Sequence, residues 1–150
     1  MTTARLKQFF STIVLSVAAG PVLAVGHLQV EQPWIRAAPP GSATLAGYAV
    51  LRNDGDAPLV IRSVSSPDFR SASLHESVSL DGVAHMRTLD SMVIAPGGSL
   101  VLAPSGKHLM LMQPGRELAS GATVTVHFVL KDTSPVDVDF SVREDAPPSR

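Results

Sequence analysis

The stretch Ala72-Ser73-Leu74-His75-Glu76-Ser77-Val78-Ser79-Leu80-Asp81-Gly82-Val83-Ala84-His85-Met86-Arg87-Thr88-Leu89 reads as two extended runs around a two-residue turn. Asp-Gly between such runs is a strong hairpin signal, because both turn residues must take positive φ and both tolerate it. Strands are predicted over 72–79 and 83–89. On either side of this hairpin, similar short runs rich in β-branched residues fall at 28–35, 44–52, 59–65, 92–94, 99–102, 108–112, 123–130 and 136–142. Turn residues separate them: Asn53-Asp54-Gly55-Asp56, Pro96-Gly97-Gly98, Pro104-Ser105-Gly106 and Pro114-Gly115. No amphipathic helix of ordinary length is evident, so the expected class is all-β, an antiparallel sandwich or barrel.

Composition sets the frame for that fold. The 150 residues are 45% hydrophobic and 17% charged, which suits one globular domain. A formal net charge of -1 and the absence of any basic run argue against nucleic acid as a partner. Residues 1–26 read as an export signal, with Arg5 and Lys7 ahead of an apolar stretch from Phe9 to Val25 that Gly20 and Pro21 interrupt. Cleavage is expected after Ala24 or after Gly26, leaving 27–150 as the exported, periplasmic domain with no membrane contact; the alternative is an uncleaved anchor. The chain has no cysteine. An exported domain of about 125 residues must then be held by its packed core rather than by disulfides.

Four residues stand at spacings that suggest a metal site. Ten residues separate His75 from Met86, twenty-one separate Met86 from His108, and one separates His108 from Met110. Imidazole and thioether together suit a soft monovalent ion, copper(I), whereas calcium and magnesium prefer oxygen and structural zinc recruits thiolates that are missing here. Thioethers also bind without deprotonating and survive an oxidising compartment. Alternation in His108-Leu109-Met110-Leu111-Met112 puts the histidine and both methionines on one face of a strand. If Leu109 and Leu111 face the core, His108 and Met110 project outward or toward a rim. Met112, roughly 7 Å further along, is a reserve ligand or a hydrophobic collar, and is read as the collar. Taken singly, a strand histidine or a gap-filling methionine is unremarkable. Jointly they are less so, with only 5 histidines and 5 methionines in the chain.

These residues carry a resemblance to the PCuAC family of periplasmic copper chaperones, whose motif is His, ten residues, Met, twenty-one residues, His, one residue, Met. The likeness runs from Pro33-Trp34-Ile35-Arg36-Ala37-Ala38-Pro39-Pro40-Gly41 through Gly47-Tyr48, Leu74-His75-Glu76 and Ala95-Pro96-Gly97-Gly98 to Lys107-His108-Leu109-Met110-Leu111-Met112. The resemblance implies a cupredoxin-like Greek-key β-sandwich or barrel, with copper(I) held by His75, Met86, His108 and Met110. It also implies delivery to the dinuclear copper centre of cytochrome c oxidase, so the expected partners are that oxidase's copper-bearing subunit or another periplasmic copper chaperone. A monomer is expected.

The sequence departs from the family at Ser77, where many members carry a further methionine. His85 should point away from Met86's face and sit exposed, and His127 is read as a satisfied sheet residue. Cleavage after Gly26 would make His27 the amino terminus and offer a second, Cu(II), chelate; the tail after Val142 has no histidine or methionine to do so. Among rivals, an electron-transfer cupredoxin needs the missing cysteine thiolate. No nucleophile elbow, His-Glu-x-x-His or phosphate loop points to an enzyme. Copper storage or tolerance and a metal-free structural sandwich are the remaining alternatives.

Overall fold

The computed structural model describes residues 27–148, so the export-signal reading of 1–26 lies outside the described residues. Ten strands follow one another: β1 (Leu28–Arg36), β2 (Thr44–Asn53), β3 (Leu59–Ser65), β4 (Phe69–Leu80), β5 (Val83–Leu89), β6 (Met92–Ile94), β7 (Ser99–Leu102), β8 (Lys107–Pro114), β9 (Thr123–Leu130) and β10 (Val136–Arg143). Every predicted strand is present, several a residue or more longer than the pattern of side chains implied. Among the described residues no helix is long and apolar enough to cross a membrane.

The strands form one continuous sheet in the order β5-β4-β8-β7-β2-β1-β10-β9-β3-β6, with β8 also pairing directly with β2. Neighbours are antiparallel except β1 with β10 and the single β7–β8 bridge. The sheet wraps around a single core that draws on both of its halves: Leu45, Leu109 and Leu111 from one, Ile61, Val124, Val126, Phe128 and Phe140 from the other. The arrangement is thus all-β, as expected, realised as one open sheet folded on itself.

Alternation explains how this core forms. In β9, Val124, Val126, Phe128 and Leu130 are buried while Thr125 and His127 face outward. His127 is indeed a satisfied sheet residue: its Nδ1 lies 2.5 Å from Asp137 Oδ1 directly across on β10. In β8, Leu109 and Leu111 are fully buried, and Gly47 stands opposite Leu109 on β2. A Cβ at Gly47 would lie 3.3 Å from Leu109 Cβ, so glycine lets the two strands meet over a leucine.

The β4–β5 hairpin turns at Asp81 and Gly82, both with positive φ (52° and 79°), with Leu80 paired to Val83, which is the primed two-residue turn the sequence calls for. β5 is an edge strand whose residues are exposed apart from a half-buried Leu89.

Candidate metal centre

Register, more than sequence distance, assembles the candidate site. His75 on β4 is the direct cross-strand partner of His108 on β8, and Ser73 on β4 is the partner of Met110. On the other side of β4, Met86 on β5 is the partner of Ser77. Opposed residues in an antiparallel pair share a face, and so do residues two apart. His75, His108, Met110 and Met86 therefore stand on one face of a three-stranded strip, the face opposite Leu74, Leu109 and Leu111. Met86 is diagonal to His75, a spacing of about 7–8 Å between strand positions that a thioether side chain can close.

The two imidazoles sit together, with ring centroids 6.0 Å apart and planes inclined by 29°. An ion bound roughly 2 Å from a ring nitrogen lies about 3 Å from the ring centre, so the 6.0 Å separation matches twice that reach. The hydrogen bonds of each ring leave one nitrogen open. His108 Nδ1 is 2.9 Å from the Gly106 carbonyl, which can only accept, so Nδ1 carries the proton and Nε2 keeps its lone pair. His75 Nε2 is 2.9 Å from Ser73 Oγ, while its Nδ1 is buried with no hydrogen-bond partner. A buried ring nitrogen without a partner costs free energy unless a ligand satisfies it, and a cation does so for a lone pair. Burial, and secondarily the charge of His108, hold His75 below the usual histidine range, which favours the neutral, ligating form.

Exposure differs sharply along the strip. His108 is only 5% exposed, so of the two expected placements, outward or toward a rim, the outward one is not seen. Alternation fixes its face but says nothing of what covers that face. On β2, Tyr48 follows Gly47, and across from it on β1 stands Trp34; the rings are 4.9 Å apart and both residues are buried. By register this aromatic pair continues the same face onto β2 and β1. Met110 is half-buried, and Met86, at the sheet edge, is 55% exposed. Met112 lies four residues beyond His108, opposite Ser71 and Thr44, at the margin of the strip. Ser77, where a further thioether was noted as missing, is directly opposite Met86. His85 is exposed on the reverse face, and His27 is exposed at the start of the described chain, with its carbonyl accepting from Asp54 N at 3.3 Å.

Two supporting residues escaped sequence reasoning, Ser73 and Gly106. Their roles depend on register and on a turn: Ser105 has φ of 64°, Gly106 N donates to Ala103 O at 3.1 Å, and Gly106 O accepts from Ser77 N at 3.0 Å as well as from the His108 ring. Among the described residues there is no cluster of three or more His, Cys, Asp or Glu side chains that could hold a metal. An ion that takes more than two ligands from this strip takes sulfur as well as nitrogen, which selects for soft cations.

The LpqE-like family profile, which describes lipoproteins, matches residues 28–142. Lxx21020 of Leifsonia xyli subsp. xyli, whose name also describes a lipoprotein, is 37% identical over 120 residues, covering 76% of this chain and 71% of the relative. Among solved structures, the apo PCuAC domain of PmoF1 is similar with a TM-score of 0.66 at 28% identity, covering 82% of this chain and 97% of that one. The copper-bound PCuAC domain of PmoF2 gives 0.65 at 27%, covering 83% and 97%. The Cu(I) solution structure of DR1885 from Deinococcus radiodurans gives 0.60 at 26%, covering 85% and 83%. The fold is the cupredoxin-like β fold of those PCuAC domains.

Proposed function

The chain belongs to the LpqE-like family, and on that footing we propose that it is an exported, non-enzymatic Cu(I) carrier that loads copper on His75, Met86, His108 and Met110 and hands it on. The observation that carries this reading is the histidine pair across β4 and β8, each ring with one nitrogen tied and the other open. The copper-bound state of the similar PmoF2 domain and the Cu(I) state of DR1885 support the choice of ion. The expected acceptor is the copper-bearing subunit of cytochrome c oxidase, directly or through a second periplasmic chaperone.

The ligand set suits a carrier because all four donors are neutral when bound, so none is an anion that must be stripped away. An acceptor's thiolates, being better donors to Cu(I), replace the thioethers stepwise. Exposure sets the order: Met86 at the edge is displaced first, Met110 next, and the buried His108 last. The relatives' names describe lipoproteins, yet none of these 150 residues is a cysteine, so a lipid carried on a cysteine thioether would have to lie outside them. Export through residues 1–26 places the domain in the periplasm.

An anaerobic Cu(I) competition titration against a chromophoric chelator tests the proposal. One tight equivalent is expected. It should be abolished by His108→Ala and weakened by Met110→Leu by at least the roughly 10- to 100-fold that even outer partners of a metal site cost. Failure of the native chain to compete would overturn the proposal. Tight binding without transfer to an apo oxidase copper domain would reassign the protein to storage.

A further inference from the structure

On the reverse face of the ligand strip, the charged neighbours of three candidate ligands are joined to one another. Glu76 follows His75, Arg87 follows Met86, and Lys107 precedes His108. Register sets Glu76 directly opposite Arg87 on β5 and directly opposite Lys107 on β8. Glu76 Oε2 accepts from Arg87 Nε at 3.0 Å and from its second guanidinium nitrogen at 2.5 Å, while Oε1 accepts from Lys107 Nζ at 2.7 Å. One carboxylate thus uses both oxygens to tie both flanking strands to the strand between them. Its side chain is 16% exposed against 65% for Arg87, so water competes poorly at the carboxylate. Hydrogen bonds from Lys107, and then from Arg87, hold its carboxyl below the usual range, and it stays ionised.

The position of this junction matters more than its strength. The β4–β8 register ends at Glu76 and Lys107. Beyond it, the hairpin from Ser77 to Met86 is a two-stranded arm, joined across its root by Ser77 N donating to Gly106 O. A two-stranded ribbon is marginally stable alone and twists freely. Met86 sits on this arm one residue past the junction, whereas His75, His108 and Met110 lie on strands that the core holds.

We propose that Glu76 is a positioning residue for metal binding: by joining Arg87 and Lys107 it fixes the root of the β4–β5 arm, and so holds the Met86 thioether against the histidine pair. The role rests on the Cu(I) reading above, and its effect passes through Met86 alone. Loss of Glu76 leaves the histidines and Met110 in place but lets the fourth donor swing away.

A double-mutant cycle read by anaerobic Cu(I) competition on the full chain tests this, with native protein, Glu76→Gln, Met86→Leu and the double variant. Glu76→Gln should weaken Cu(I) binding about three- to tenfold, the scale of a partly covered ion-pair network, and should add nothing once Met86 is leucine. In the apo protein the same variant should speed amide exchange in β5 while β9 and β10 keep theirs. Native-like affinity in Glu76→Gln, or an equal loss in both backgrounds, overturns the positioning role while leaving the Cu(I) reading intact. No Cu(I) binding by the native chain overturns both. Should Glu76→Gln fail to fold, Arg87→Met, which keeps the Lys107 pair, poses the same question of β5, with the same two outcomes.

Discussion

His75 and His108 face each other across two strands, yet their surroundings give them different tasks. His108 is buried, with its proton fixed on Nδ1 by the Gly106 carbonyl, so in the proposed site it would be the last donor to leave. His75 has a buried nitrogen with no partner, and its pKa is lowered by burial and by His108. A histidine whose folded pKa lies below its unfolded value binds fewer protons when folded, so stability rises with pH across that window. The contribution is present above the unfolded value near 6.5 and is lost as pH falls toward the depressed folded value. Thermal midpoints of the apo protein should therefore fall between pH 7.5 and pH 5, and His75→Gln should flatten that dependence. An unchanged slope in the variant would mean that His75 is not the titrating group. That His108 shares a face with Met110 and Met112 was legible from alternation. The burial of His108 was not, because a two-residue period assigns a side without saying whether that side is covered.

At the scale of elements, the hairpin is the part of the fold that sequence described most fully. Its turn is local, and Asp81-Gly82 specifies a primed geometry through two adjacent residues. What joins β4 to β8 is different. Ala72 pairs with Leu111 and His75 with His108, contacts between residues more than thirty apart, and no periodicity encodes which strand will be the neighbour. Ser73 and Gly106 became meaningful only once that register was known. The hairpin also gives a test of how local the arm is. Gly82 has a φ of 79° and open space where a Cβ would stand, so Gly82→Ala brings backbone strain without a clash. The expected cost is about 1 kcal/mol. Amide exchange should speed up in β5 and the outer half of β4, while β9 and β10 stay protected and Cu(I) affinity falls only modestly. Uniform acceleration across the sheet would show instead that the arm and the core unfold as one unit.

For the whole molecule, the decisive relation is between core and site. The core is a closed apolar cluster built from Leu109, Leu111, Phe128, Phe140 and their neighbours, and the candidate ligands occupy the other face of β4, β5 and β8. Folding energy comes from burying that cluster, on the order of 1.5–3 kcal/mol for each large side chain. The candidate strip adds two imidazoles and two thioethers that the core does not require. The chain is therefore unlike small zinc modules, in which metal binding supplies the folding free energy. The apo protein should unfold in one cooperative thermal transition, and a saturating soft ion should raise the midpoint by linkage alone. Free Cu(I) at 100 times its dissociation constant contributes about 2.7 kcal/mol, worth roughly 5–20 °C for a domain of this size. Phe128→Ala should cost about 3–5 kcal/mol in the apo protein and leave that increment nearly unchanged, because Phe128 lies in β9, apart from the strip. Differential scanning calorimetry of both proteins, with and without Cu(I) under anaerobic conditions, measures all four quantities. An apo chain with no cooperative transition, or a copper increment that vanishes with Phe128, would mean that metal and core fold together. The protein would then carry copper as part of its structure rather than as cargo it can release.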